Sequence, residues 1–173
     1  PPGAGKGTQA SLVCKKNSLL HLSTGDLLRA EVAAGTHLGQ EAEEIMNKGE
    51  LVSDSLVLSI VEQRLTTNEK GWLLDGFPRN VQQAESLQVL LEKLQQPIER
   101  VVLIEVNDEV LIQRLCSRGR PDDTEAVIRH RLDVYREKTS PLIQHYNKQG
   151  LVQSVKGEGD VETVAGRIEK VLC

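Results

Sequence analysis

The chain has 173 residues, 39% hydrophobic and 27% charged, which fits one soluble globular domain with its own core. Only 2% of the residues are aromatic, so the core must be aliphatic, and the stacking platforms of single-strand nucleic-acid binders are not expected. A net charge of -4 gives no whole-molecule field toward a polyanion or a lipid surface, and no apolar run approaches the ~20 residues of a membrane span.

In chain order, residues 8–17 are predicted as a short helix and 19–22 as a strand. Ser23 opens a second helix. Asp26 stands at the capping-box spacing, and Leu27, Leu28 and Val32 form an apolar stripe that Gly35 stops. Helices are predicted over 37–48, ended by Gly49, and over 54–65. Residues 71–75 read as a buried strand ending in the carboxylate of Asp75. A helix over 80–94 precedes the clearest strand, 101–106, which is aliphatic at five of six positions. Continuous apolar character favours a parallel sheet covered on both faces. Helix 108–117, a loop over 118–123 and a long helix over 124–146 follow, with a kink predicted at Pro141. Strand 151–155 and helix 161–172 complete an α/β, doubly wound, three-layer architecture around a parallel sheet. No repeat or linker divides residues 1–173.

Cys14, Cys116 and Cys173 are odd in number and far apart, which is neither a disulfide framework nor a C-x2-C zinc pair. Reduced thiols and a cytoplasmic setting are expected. His21, His37, His130 and His145 share no metal spacing, and all four are read as structural or exposed.

The chain opens on Pro1-Pro2-Gly3-Ala4-Gly5-Lys6-Gly7-Thr8. Glycines permit positive-φ turns whose N–H groups point inward; the helix N-terminus and Lys6 add positive charge. Together these make a phosphate cradle. The strict signature G-x-x-x-x-G-K-[ST] would need a glycine one residue before Pro1, and Gly7 rather than Ser or Thr follows Lys6. A flexible glycine-rich terminus is the alternative reading of this octamer alone.

Three further segments stand in register with it: Leu22-Ser23-Thr24-Gly25-Asp26-Leu27-Leu28-Arg29, Leu74-Asp75-Gly76-Phe77-Pro78-Arg79, and Arg118-Gly119-Arg120-Pro121-Asp122-Asp123. With Gly3 to Thr8, their order and spacing resemble the nucleoside monophosphate kinases, most closely short-lid bacterial forms of the adenylate kinase family. The resemblance runs along essentially the whole chain. It implies a P-loop fold, an AMP-binding subregion over 23–65 and a very short lid over 118–123.

On this resemblance Gly3, Ala4, Gly5, Lys6, Gly7 and Thr8 hold the ATP phosphates, with Lys6 accompanying the transferred group. Arg114 and Arg118 match residues that stack on ATP adenine and grip its phosphates, and Gly159 matches a close approach to the ATP base. Thr24, Arg29, Glu50, Leu51, Val52, Gly76, Phe77, Pro78, Arg79, Gln83, Arg120 and Arg131 match the AMP site. A side-chain amide at Gln83 can pair with the adenine edge. Lys6, Arg79, Arg118, Arg120 and Arg131 are the expected catalytic charges, and Asp122 and Asp123 the residues that close the lid, with capping of the long helix as the rival reading for these two. Asp75 and Asp26 resemble carboxylates holding the hydration shell of magnesium, the expected cofactor with ATP; for Asp26, helix capping is the rival. Zinc is not expected, since nothing resembles the long zinc-holding insert.

Between 114 and 131, five arginines oppose three acids. Arg131 falls inside the apolar stripe of Val127, Ile128, Leu132, Tyr135, Leu142 and Tyr146, where a cation demands an anionic partner, either protein or ligand. The implied activity is reversible phosphoryl transfer from MgATP to AMP by a monomer acting on ATP, AMP and ADP, with no nucleic-acid or membrane partner. A UMP/CMP kinase is disfavoured by Thr24 and Gln83. A phosphate-loop hydrolase switch lacks an N-K-x-D, because Asn47-Lys48 and Asn147-Lys148 both run on to glycines. A non-catalytic nucleotide-binding module is the remaining alternative. In the family a central strand ending in Gly leads into the phosphate loop, so an apolar strand of ~6–8 residues is expected before Pro1.

Overall fold

Two short apolar runs, each closed by a polar residue, become neighbouring strands. In the computed structural model, which describes residues 1–120 and 123–172 with all side chains but those of Leu38 and Glu41, β1 (Leu20–Ser23) pairs in parallel with β2 (Trp72–Asp75). The register sets Ser23 beside Asp75, so two polar side chains stand together at the carboxyl ends of the strands. In α/β sheets this is the end where ligands bind. A second parallel pair joins β3 (Val101–Glu105) to β4 (Val152–Lys156), Val101 opposite Val152.

The parallel, helix-flanked architecture is as expected, but the two pairs are not hydrogen-bonded to each other. A cavity of about 1590 Å³ runs between the edges of β2 and β3 and on into the cleft above them.

Helix α1 (Lys6–Asn17) starts two residues earlier than the sequence suggests. Gly5 takes φ 88°, a left-handed turn closed to most side chains, and this brings Lys6 directly into the first helical turn. Helices α2 (Thr24–Ala33), α3 (His37–Asn47) and α4 (Asp54–Thr66) follow β1, and α5 (Val81–Leu94) follows β2. The starts of α2, α3 and α5 are capped by side chains: Ser23 accepts from the Asp26 N–H, Thr36 from Gly39, and Asn80 from Gln83. Helices α2 and α3 cross very closely, since a Cβ on Gly39 would lie 2.1 Å from the Glu31 carbonyl oxygen.

Helix α6 (Asp108–Arg118) ends on Gly119 at φ 71°. The predicted long helix is divided into α7 (Glu125–Val134), one π-turn over Tyr135–Thr139, and α8 (Pro141–Asn147). Pro141 brings no N–H and its ring crowds the preceding turn, so the widening falls just before it. The Ser140 N–H reaches back five residues to the Tyr135 carbonyl at 2.8 Å, and Pro141 opens α8. Helix α9 (Val161–Leu172) closes the chain.

One aliphatic core, including Leu22, Val61, Leu65, Leu87 and Leu91, lies under β1, α4 and α5; another, including Val13, Ile104, Leu111, Leu132 and Ile168, joins α1, β3, α6, α7 and α9. No described helix is long and apolar enough to cross a membrane.

Candidate active site

The phosphate loop turns on Gly3 and Gly5, both at positive φ. At Gly3 a Cβ would stand 3.0 Å from the Leu111 carbonyl and from Leu115, so α6 backs the loop closely. Ala4 is buried, while Gly7 abuts the Asp75 carboxylate: a Cβ there would lie 3.3 Å from Oδ2. Thr8 and Lys6 face the cavity. Lys6 is exposed toward the cavity, near several cations. Desolvation, followed by the field of Arg79 and then Arg118 and Arg120, outweighs the attraction of Asp75 and draws its ammonium down to about 8.

Across the cavity, the loop after β2 carries Gly76, the cis Phe77–Pro78 bond and Arg79. Thr24, at the start of α2, donates to the Gly76 carbonyl at 3.1 Å, and Arg79 Nε donates to the same oxygen at 2.6 Å. Burial first, and then the charges of Arg131 and Arg29, pull the Arg79 guanidinium below its ordinary value against the attraction of Asp75. Such a site is built to receive negative charge.

Gln83 is buried at 3% exposure, and both ends of its amide are engaged. The Arg79 N–H donates to Oε1 at 2.6 Å, and Nε2 donates to Asp54 Oδ1 at 2.6 Å. Leu51 and Val52 border the cavity, as does Glu50, whose carboxylate lies 2.7 Å from His130 Nε2 on α7 and 3.8 Å from Lys138 Nζ. The hydrogen bond from His130, with the charges of His130 and Lys138, holds the Glu50 carboxyl below the ordinary range against desolvation.

The arginines converge on Asp123, whose side chain is only 1% exposed. Arg118 grips it with two bonds, from Nε at 2.8 Å and Nη2 at 2.6 Å; Arg131 Nη1 adds a third at 3.0 Å and the Arg120 N–H a fourth at 3.3 Å. Burial alone would raise the Asp123 carboxyl, but the bonds and charge of Arg118, with Arg120 and Arg131, win and hold it low. Arg131 also donates to the Met46 carbonyl at 3.2 Å. The cation on the apolar stripe therefore has a protein anion in this structure, and the same side chain borders the cavity. Thr124, not Asp123, caps α7 through the Val127 N–H. Asp122 lies outside the described residues.

Arg120 lines the cavity 4.0 Å from Asp26, and burial, with Arg29 and Arg118, lowers its pKa against Asp26 and Asp123. Arg29 is bound to Asp26, whose carboxyl is held low by Arg29 and Ser23 against desolvation. Arg114 borders the cavity and donates to the Gly157 carbonyl at 3.0 Å. Gly159, at φ 116°, is off the cavity lining, as are Ala4 and Asp123.

The two carboxylates matched to a magnesium site differ. Asp75 is 8% exposed, presses on the phosphate loop and has His21 Nε2 at 3.7 Å. Asp26 is committed to Arg29, and its backbone N–H donates to the capping hydroxyl of Ser23.

Three supporting residues escaped the sequence reading. Asp54 holds Gln83, His130 holds Glu50, and Thr139 in the π-turn donates to the Arg79 carbonyl at 2.7 Å. Pro141 was the one available signal, because it forces the turn that presents Thr139.

The profile of the family described as Adenylate kinase matches residues 1–151. An adenylate kinase of Prochlorococcus marinus (strain MIT 9303) is 65% identical over 173 residues, covering 100% of this chain and 95% of the relative. One of Synechococcus sp. (strain CC9311) is 66% identical with the same coverage, and one of Parasynechococcus marenigrum (strain WH8102) is 65% identical over 99% of this chain and 94% of its own. With a family profile that matches most of its length and relatives of this identity along the whole of it, the chain belongs to the adenylate kinase family.

Proposed function

We propose that the chain catalyses reversible phosphoryl transfer from MgATP to AMP, giving two ADP. The observation that carries this reading is one cavity bordered by the phosphate loop on one side and by Thr24, Gly76 and Gln83 on the other, with Lys6, Arg79, Arg118, Arg120 and Arg131 on its walls. Transfer between two nucleotides needs donor and acceptor held in line and the charge on the moving group cancelled; it places little demand on a general base.

Gly3, Gly5 and Gly7 present backbone N–H groups to the donor phosphates, Lys6 follows the transferred group, and Arg118 and Arg114 hold the donor nucleotide. Arg29, Arg79 and Arg131 receive the acceptor phosphate, the planar guanidinium fork suiting a phosphate better than a point charge would. Glu50 to Val52 and Gly76 to Gln83 receive the acceptor nucleoside. The lid over 118–123, with Asp122 and Asp123, excludes water so that transfer outcompetes hydrolysis.

Asp75 fits the hydration shell of magnesium: its carboxylate is buried against the phosphate loop, where metal-bound water would sit. Magnesium bound with ATP supplies charge neutralisation on the phosphate oxygens. Asp26 fits less well because Arg29 occupies it. The setting we infer is a cytoplasmic monomer acting on free nucleotides.

A coupled assay offering AMP, CMP, UMP and GMP in turn tests the reading. AMP is the expected acceptor by a wide margin; equal or greater use of a pyrimidine monophosphate would overturn it.

A further inference from the structure

We propose that Asp54 is a specificity-determining positioning residue: it fixes which way round the Gln83 amide faces the acceptor pocket, so that the site pairs with adenine and rejects a base of inverse pattern. This rests on the reading that Gln83 meets the acceptor base.

A glutamine amide carries an acceptor at one end and two donors at the other, and a half-turn about its terminal bond exchanges them. At Gln83 two neighbours from different elements decide the orientation. The Asp54 carboxylate, in the first turn of α4, can only accept and takes Nε2–H at 2.6 Å; the Arg79 backbone N–H can only donate and takes Oε1 at 2.6 Å. A half-turn would break both bonds and set oxygen against carboxylate and N–H against N–H, inside a site where the side chain is 3% exposed.

Asp54 is itself held. Asn80 Nδ2 lies 3.1 Å from Oδ1 and 3.3 Å from Oδ2, and the Asn80 Oδ1 caps α5 through the Gln83 N–H at 2.7 Å. The network closes on itself: α4 start, α5 cap, Gln83 and the Arg79 backbone.

These bonds use one N–H and one lone pair of the Gln83 amide, which leaves one donor and one acceptor in a fixed order. The adenine edge offers an exocyclic N–H beside the N1 lone pair. Hypoxanthine and guanine offer O6 beside N1–H, the reverse order. A freely turning amide could meet either pattern, whereas the locked one meets only one. Discrimination by leaving buried polar groups unpaired is the strong kind of specificity.

The test is the ratio of kcat/KM for AMP to that for IMP, measured for the wild type, D54A, the near-isosteric D54L, D54N and Q83L. In D54A and D54L the ratio is expected to fall by about tenfold or more, the worth of one buried charge-assisted bond. In D54N it should stay within about threefold of wild type, because the amide oxygen can still accept from both Gln83 and Asn80. General loosening of the site lowers both rates together and leaves the ratio unmoved. Either apolar variant that melts as a folded protein decides the matter. If Q83L collapses the ratio and D54A and D54L do not, the lock is overturned while the reading of Gln83 stands. If Q83L leaves the ratio unchanged, Gln83 does not read the base, and the proposal fails with it.

Discussion

Asp123 offers the sharpest test of how the arginine cluster is held. Its side chain is 1% exposed and accepts three guanidinium bonds and one backbone N–H, so D123N keeps the volume but removes the charge between Arg118 and Arg131. Breaking a buried ion pair by removing one partner costs ~3–5 kcal/mol. Arg131 is 15% exposed and feels most of that loss, but Arg118 at 32% is partly screened by water, and Arg131 keeps its bond to the Met46 carbonyl. These discounts bring the expected destabilisation to ~2–4 kcal/mol at pH 7.

The pH dependence has a fixed sign. The carboxyl is held below its ordinary value in the folded chain, so it binds a proton less readily folded than unfolded. Its contribution is then complete above the unfolded value of ~3.9 and is lost as pH falls through the lower folded value. Urea unfolding of wild type and D123N, without nucleotide, at pH 7, 5, 4 and 3 should give a stability gap that is constant down to about pH 5 and closes below about pH 4. A gap under ~0.5 kcal/mol at pH 7, or one equally large at pH 3, would refute the reasoning.

Three other outcomes are expected. K6M should lower kcat by at least ~10²-fold with little change in unfolding midpoint; in the wild type, kcat/KM for ATP should fall as pH rises through about 8, where the free Lys6 ammonium loses its proton, and should not fall there in K6R. G39A must part α2 from α3, because its Cβ would lie 2.1 Å from the Glu31 carbonyl oxygen; KM for AMP should rise several-fold while KM for ATP stays within twofold, read from initial rates. L65A removes a side chain with 0% exposure from the core under α4 and should cost ~2–5 kcal/mol in urea unfolding, leaving the relative use of AMP and CMP unchanged.

What the sequence made legible was local. Ser23 and Asp26 three residues apart, glycines around a lysine, and an aliphatic run at 101–106 each signal a cap, a cradle and a buried strand through near neighbours. The helices and strands accordingly lie close to their expected places. The site was legible where a motif places a charge on the cleft, as for Lys6, Arg79, Arg118 and Arg120, all of which border it. Two local rules were incomplete. Pro141 announced a break in the long helix but not its form, a π-turn over Tyr135–Thr139. Gly5 hid the true start of α1, since a glycine run reads as loop until its φ is known.

The residues that support the site follow a different logic. Asp54 reaches Gln83 across 29 residues, Thr139 reaches Arg79 across 60, and His130 reaches Glu50 across 80. None of these pairings leaves a period or a spacing in the chain, because each depends on where two elements happen to pack. They are also where the fold sets the chemistry. A motif can place an amide or a guanidinium at the cleft, but an amide has two faces and a loop many shapes, and only a partner brought from another element selects one. If selectivity for the acceptor base is set at Gln83, it is therefore set equally by Asp54, and two chains sharing every nucleotide-binding motif could differ in acceptor through that one carboxylate.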